Sequence, residues 1–113
     1  MYKRQDAIPY QATLSRCPRS LFVLWQEFEF GIGGRKPAKL FSAAERGKVR
    51  YSYSLRKHFW TLMQNMIRNG HTFNSAIDKI YDVYDRSRSV TKILRLIRDD
   101  SKNGGHPQLA SYT

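Results

Sequence analysis

The stretch RYSYSLRKHFWTLMQNMIRNG, residues 50–70, decides the fold. Its apolar side chains recur every three or four residues, which is the period of an amphipathic helix. They are Leu55, Phe59, Leu62, Met63 and Met66, with Trp60 and Ile67 on one edge of the same face. Asn69-Gly70 is a typical helix end. The sequence therefore predicts a long helix that begins near Arg50 and ends at Asn69-Gly70.

Similar patterns on both sides of this segment predict shorter helices. One extends from Ser20, a good N-cap, to Phe30, and a second extends from Pro37 to a stop near Gly47. A fourth helix, after the long one, begins at Thr72, and its apolar stripe consists of Phe73, Ala76, Ile77, Ile80, Tyr81 and Tyr84. A fifth, short stripe consists of Val90, Ile93, Leu94 and Ile97 and is ended by Asn103-Gly-Gly-His-Pro.

These patterns predict an all-α protein, a compact four- to five-helix bundle, because no stretch alternates with the period of a strand. The predicted organisation is an N-terminal arm (1–18), a helical domain (19–100) and a C-terminal tail (101–113). We expect the helices at 20–30, 50–69 and 72–84 to form the core. Its large side chains are predicted to be Trp25, Phe28, Phe41, Phe59, Trp60 and Phe73.

The composition excludes several classes of protein. Twenty Lys and Arg against nine Asp and Glu give a formal net charge of +11, which favours a polyanionic partner, most commonly nucleic acid. No apolar run approaches the ~18 residues of a membrane span, and the first residues do not form a signal peptide. Cys17 has no disulfide partner, and the three histidines are too far apart for a zinc site. We therefore expect no membrane partner, no metal, no cofactor, no small-molecule substrate and no enzymatic activity.

The positive charge is concentrated between residues 33 and 57. This stretch holds eight basic residues and one acidic residue, Glu45. The basic residues are Arg35, Lys36, Lys39, Arg46, Lys48, Arg50, Arg56 and Lys57. Tyr51 and Tyr53 lie among them and add stacking surface and phenol donors, as in nucleic-acid-binding proteins. A cationic face that serves only solubility is the alternative.

The predicted long helix joins this basic stretch to the core. Its side opposite the apolar stripe carries Arg50, Ser54, Lys57, Thr61, Gln64 and Arg68. This arrangement predicts a surface like that of a helix-turn-helix protein, in which one helix enters the major groove. We expect phosphate contacts from Arg35, Lys36, Lys39 and Lys48, and contacts to bases or sugar-phosphate from Arg50, Tyr51, Tyr53, Ser54, Lys57 and Thr61. Arg46, Arg56 and Arg68 complete the predicted DNA-binding set.

Two features of this region allow alternatives. Arg56 lies near the boundary of the apolar face, so it either pairs with Glu27, Glu29 or Glu45 or grips a phosphate. The glycines of the segment 31–36, GIGGRK, form either an anion-binding turn or a helix C-cap followed by a tight turn. The prediction of a DNA-binding surface requires that the cations converge on one exposed side of the molecule.

Several ordered blocks between Arg19 and Leu109 resemble a known family. The residues that carry the match are Leu24, Trp25, Glu27, Phe28, Gly31, Gly33 and Gly34, then Glu45-Arg46-Gly47, then Tyr53, Arg56, Lys57 and Trp60, and later AIDKIYDVY (76–84), SVTKIL (89–94) and NGGHP (103–107). They are similar to the C-terminal DNA-binding domain of the fungal transcriptional activator of glycolytic enzymes. A related pattern ends the tyrosine recombinases of Crypton DNA transposons and of their domesticated descendants.

The resemblance implies sequence-specific binding of double-stranded DNA by a transcription regulator or a transposon-derived protein in the nucleus, without the recombinase chemistry. It also implies that the chain is a domain of a longer protein, so other domains or a second copy are further expected partners. Structured RNA is an alternative ligand. Another alternative is a protein-docking or oligomerisation module with Trp25, Phe28 and Phe30 exposed. Binding to an acidic membrane is disfavoured because no helix has a continuous Lys/Arg face.

Overall fold

Five α-helices form the bundle in the computed structural model, which describes residues 12–112. They are α1 (Leu21–Glu29), α2 (Ala43–Lys48), α3 (Arg50–Arg68), α4 (Phe73–Tyr84) and α5 (Val90–Lys102). Short 3₁₀ turns span Ala38–Leu40 and Ala110–Tyr112. The described residues contain no strand, which confirms the all-α prediction. Residues 1–11 of the predicted arm lie outside the described residues.

Side-chain caps fix where α1, α4 and α5 begin. The hydroxyl of Ser20 accepts a hydrogen bond from the backbone N–H of Val23 (3.2 Å), and Ser89 caps α5 in the same way. Thr72 and Ser75 form a reciprocal capping box at the start of α4. The helix starts predicted at Ser20 and Thr72 are therefore confirmed.

The second predicted helix is interrupted. Ala38–Leu40 forms a 3₁₀ turn, the backbone is extended at Phe41, and Ser42 starts α2 through a capping box with Glu45. The prediction of one helix from Pro37 to Gly47 was therefore wrong. Sequence reasoning overlooked that Ser42 and Glu45 have the spacing of a capping box, which starts a new helix inside the segment. Gly47 lies within α2, and only Val49 separates α2 from α3.

α3 is the central helix of the core. Phe59, Trp60, Met63 and Met66 are at most 1% exposed, and the Trp60 indole N–H donates to the carbonyl oxygen of Leu24 on α1 (2.9 Å). α5 packs closely on α3 through Ile93, Leu94 and Ile97, a contribution to the core that the sequence analysis underestimated. α3 is in contact with each of the other four helices.

Phe73 was wrongly predicted as a core residue. It is 40% exposed, and its ring is tilted by 35° against that of Phe22 of α1, with 5.9 Å between the ring centroids. Phe73 is the first residue of α4, so its side chain lies beyond the layer that Ala76, Ile77 and Ile80 form with the rest of the core. The helical period alone does not show where the neighbouring helices end.

The chain on both sides of the bundle packs against it. Leu14 is buried, and Leu109 is 1% exposed. The Asn65 side-chain amide donates to the carbonyl oxygen of Tyr112 (2.6 Å), which fixes the C-terminal 3₁₀ turn against α3. The described part of the tail is therefore a packed part of the structure, and its first two residues belong to α5.

A glycine ends α1 and turns the chain toward α2. Gly31 has φ +77°, and its N–H donates to the carbonyl oxygen of Gln26 (3.0 Å). A Cβ at this position would overlap the carbonyl oxygen of Arg35. These observations support the helix C-cap followed by a tight turn for the glycine segment.

Candidate nucleic-acid interface

One face of α3 is exposed along the whole helix. We call it the basic face; it consists of Arg50, Ser54, Lys57, Thr61, Gln64 and Arg68, all of which are exposed. At 1.5 Å per residue it extends for about 27 Å. The division of α3 into an apolar side and a polar side, as predicted from the sequence, is confirmed.

The N-terminal half of the basic face carries cations that make no ion pair. Among residues 12–112, neither Arg50 nor Lys57 has a carboxylate within salt-bridge distance, and the same is true of Lys48 at the end of α2. Arg50 and Lys57 are two turns apart on one side of the helix, a separation of about 10 Å. Tyr51, beside them, is 66% exposed. These side chains can reach a polyanion without breaking an ion pair among the described residues.

Three predicted phosphate contacts are engaged inside the protein. Lys36 forms an ion pair with Glu45 (2.8 Å), and Lys39 lies 3.4 Å from Glu29. The Arg35 Nε–H donates to the Thr13 hydroxyl (3.1 Å). The hydrogen bond from Lys36, with a further one from the Ser42 backbone, lowers the pKa of Glu45 and keeps this carboxylate charged. The predicted convergence of all the cations on one free surface is therefore incomplete.

Arg56 is removed from the candidate interface by burial. Its side chain is 6% exposed, and Nη1 donates to Glu27 Oε1 (2.6 Å). Nη2 donates to the carbonyl oxygen of Ser15 (2.6 Å), while the Ser15 backbone N–H donates to the other oxygen of Glu27 (2.7 Å). Of the two alternatives for Arg56, the structure supports pairing with Glu27, so its inclusion among the DNA contacts was wrong. This network attaches the segment before α1 to α3.

Tyr53 also belongs mainly to the interior. Its ring makes an edge contact with Trp60 (5.4 Å between centroids) and stacks on Phe41 (6.3 Å). The exposed Arg46 guanidinium lies 5.8 Å from the centre of the Tyr53 ring. A ring held in this way supports the position of Arg46 and is not free to stack on a base, so we correct its predicted role.

Two cations that the sequence analysis missed come from α5. Partial burial is the main cause that lowers the pKa of His58, and the positive charges of Lys57, Arg98 and Lys102 lower it further. Ile97 and Ser101 of α5 line the same pocket as Lys57 and His58, so Arg98 and Lys102, which follow them in the chain, lie on the α5 side of this region. The packing of α5 on α3 brings these cations near His58, and this packing could not be read from the sequence.

The acidic residues lie elsewhere or are engaged. On α4, Asp78 and Asp82 flank Arg86, at 3.8 Å and 3.1 Å. On α5, Asp99 lies 3.2 Å from Arg98 in an ion pair, and Asp100 accepts a hydrogen bond from the Tyr84 hydroxyl (2.8 Å). The carboxylates of α4 and α5 therefore form no ion pair with Lys48, Arg50 or Lys57.

A histidine–serine contact gives no catalytic arrangement. His71 Nδ1 lies 3.0 Å from the Ser75 hydroxyl, and Nε2 lies 3.0 Å from the Tyr112 hydroxyl. The Ser75 hydroxyl is already used in the capping box with Thr72, and no carboxylate in the described residues orients the imidazole. Within the same residues, no group of three or more metal-ligating side chains occurs. This contact stabilises the start of α4 and the C-terminal turn.

Comparisons with known proteins give no further assignment. None of the searches against family models, curated proteins and solved structures found a significant match. The resemblance described from the sequence blocks therefore stays a prediction. In the described part of the chain, none of the helices has both the length and the apolar character that crossing a membrane requires.

Proposed function

We propose that this domain binds double-stranded DNA through the N-terminal half of the basic face of α3. The observation that carries the proposal is the group of exposed cations Lys48, Arg50 and Lys57, none of which forms an ion pair within the described residues. A helix is about 10–12 Å in diameter, which fits the major groove of about 12 Å. The short polar side chains of Ser54 and Thr61 on the same face are suited to base edges.

The arrangement of donors divides the expected contacts into two kinds. Lys48 lies at the junction before α3 and Lys102 lies on α5, so both suit the phosphates on either side of a groove. Arg50 and Lys57 project from α3 itself, and these residue types bind the acceptor edge of guanine. We expect the domain to act as a DNA-binding part of a transcription regulator or a transposon-derived protein.

Selection of bound duplexes from a random pool tests the proposal. An enriched sequence supports sequence-specific binding, whereas retention without enrichment restricts the domain to electrostatic binding. With two phosphates neutralised by Lys48 and Lys102, the plot of log K against log salt should have a slope of about −1.8. Absence of duplex binding at physiological salt would refute the proposal.

Two charge-removing variants and a matched control locate the surface. Lys57→Ala should weaken the selected site more than random duplex, by ~1 to 3 kcal/mol if a base contact is lost. Lys48→Ala should weaken both duplexes equally and reduce the salt slope by about 1. Arg86→Ala removes one positive charge from the acidic side of α4 and should leave both affinities nearly unchanged. An equal loss in all three variants would indicate a dependence on net charge alone.

Structured RNA remains an alternative ligand for the same surface. Direct competition at fixed salt between a selected DNA duplex and a hairpin RNA separates the two, because the deep, narrow major groove of an RNA helix does not admit a helix. Tighter binding of the hairpin would refute double-stranded DNA as the ligand and identify structured RNA instead.

An exposed aromatic groove supports protein docking as a second candidate function. Phe22, Phe30 and Phe73 are 39%, 71% and 40% exposed around a groove of about 500 Å³ that Arg68 also lines. Trp25 and Phe28, which the docking hypothesis required to be exposed, are only 7% exposed, so the surface differs from the one expected. The net charge of +11 opposes a second copy and favours an acidic helix with apolar anchors. Sedimentation that detects a concentration-dependent dimer would instead identify a second copy.

A further inference from the structure

A pocket opens beside the basic face, between α3, α5 and the C-terminal 3₁₀ turn. Its volume is about 390 Å³, within the usual range for ligand pockets of about 300–1,000 Å³. Lys57, Thr61 and Ser101 line it and are exposed, so they form the rim. Leu62 and Leu109 line it and are buried, so they form the floor. The pocket therefore adjoins the surface assigned to DNA and has an apolar interior.

Rings and uncharged polar groups line the same space. Tyr84, His106 and Tyr112 contribute aromatic surface, and the ring centroids of Tyr84 and His106 are 5.4 Å apart. His58 also lines the pocket, and partial burial, with the neighbouring cations, lowers its pKa, which favours the neutral imidazole. The hydroxyl of Thr61 has no hydrogen-bond partner among the described residues. These groups are suited to a flat, uncharged ligand with polar edges.

The charges around the pocket indicate that the ligand has an anionic part outside the pocket. Lys57 stands at the rim, and the exposed Lys102 directly follows the rim residue Ser101 in α5, so the entrance is positive. Asp100 lines the interior and accepts a hydrogen bond from the Tyr84 hydroxyl, so a phosphate inside would be repelled. A ligand with an anionic part outside and a neutral planar part inside matches this distribution.

We propose that this pocket binds an unpaired nucleobase of the bound DNA, with the phosphate next to that base at Lys102. The inference rests on the proposed function, because the same basic face holds the duplex. The base would lie against the apolar floor and the aromatic side chains. Stacking of a base on aromatic side chains tolerates any base, so the pocket responds to the absence of pairing and not to sequence.

Anisotropy titrations with two fluorescently labelled duplexes test the inference. One duplex is fully paired, and the other has the same sequence with a single extra, unpaired adenine. We expect the unchanged domain to bind the second duplex about tenfold more tightly, since stacking of one base gives a factor of this order. Ser101→Phe, which fills the pocket from an exposed position of α5, should reduce the ratio to within about twofold and leave affinity for the paired duplex unchanged.

Thr91→Phe is the matched control, because it adds the same ring to an exposed position of α5 that does not line the pocket. It should retain the tenfold ratio. Circular dichroism shows whether Ser101→Phe folds. If it does not, Ser101→Gln, which partly fills the same entrance, replaces it. It should lower the ratio in the same direction.

The outcomes separate the two proposals. Equal affinity of the unchanged domain for both duplexes overturns the pocket assignment and leaves duplex binding intact. A preference that survives both Ser101 substitutions places the unpaired base elsewhere and also overturns it. Failure to bind either duplex overturns the proposed function and the pocket assignment together.

Discussion

Removing the Arg56 side chain should destabilise the fold strongly without altering the DNA surface. Arg56→Met retains the aliphatic part of the side chain but leaves the Glu27 carboxylate, 1% exposed, without its cation. Breaking a buried ion pair from one side costs about 3 to 5 kcal/mol. For a domain of this size 1 kcal/mol corresponds to about 4 °C, so the melting temperature should fall by about 12 to 20 °C.

The double variant Glu27→Leu/Arg56→Met tests whether the buried, unpaired carboxylate causes the loss of stability. It removes both charges, so no uncompensated charge stays buried, and its cost should be smaller than the sum of the two single substitutions by at least about 2 kcal/mol. Urea unfolding followed by circular dichroism measures all four proteins. A cost below about 1 kcal/mol for Arg56→Met, the value of an exposed pair, would refute the buried network.

The same variant distinguishes the two alternatives for Arg56. At a temperature where Arg56→Met is fully folded, its affinity for duplex DNA should equal that of the unchanged domain, since the guanidinium does not reach the surface. A selective loss of DNA affinity in the folded variant would place Arg56 at a phosphate after all.

Three further substitutions test separate parts of the fold, each by urea unfolding. Gly31→Ala should cost more than about 2 kcal/mol, because a left-handed backbone is combined with overlap on the Arg35 carbonyl oxygen. Ser89→Ala should cost about 1 kcal/mol through the lost N-cap of α5. Tyr84→Phe should cost about 1 kcal/mol through the lost hydrogen bond to Asp100. Burial, with Asp100 beside it, raises the pKa of Tyr84 above its ordinary value of 10.0, so the unchanged protein should lose stability as the pH rises above 10, and Tyr84→Phe should lose less.

The helices were largely predictable because their signals are local. The apolar period of α3 and the caps at Ser20 and Thr72 act over a few residues, and each produced the predicted helix. The interruption at Phe41–Ser42 is also local, since Ser42 and Glu45 have capping-box spacing, but the apolar pattern through Leu40 and Phe41 concealed it. Period and capping conflicted there, and capping determined the structure.

The candidate interface was harder to predict because charged side chains pair with partners that are distant in the sequence. A basic side chain in the sequence carries no indication of the carboxylate that will neutralise it, so Lys36 and Lys39 were counted as free although each meets a glutamate nine or ten residues away. Arg98 and Lys102 were overlooked for the converse reason, since only the packing of α5 on α3 places them beside His58. Net charge therefore does not indicate which basic side chains are left unpaired in the fold.

Arg56 and Lys57 illustrate how one helix can hold the fold together on one side and carry the proposed DNA contacts on the other. Successive residues on an α-helix differ by 100° in direction, so Arg56 points into the bundle and Lys57 points to solvent. The first guanidinium joins the segment before α1 to α3, and the second cation is left without a partner in the described residues. Substitutions on the apolar side should therefore lower the free energy of unfolding and leave DNA affinity unchanged. Substitutions on the basic face should lower DNA affinity and leave the free energy of unfolding unchanged. A Lys57→Ala domain that lost both stability and DNA affinity would contradict this separation, because it would mean that the exposed cations also hold the helices together.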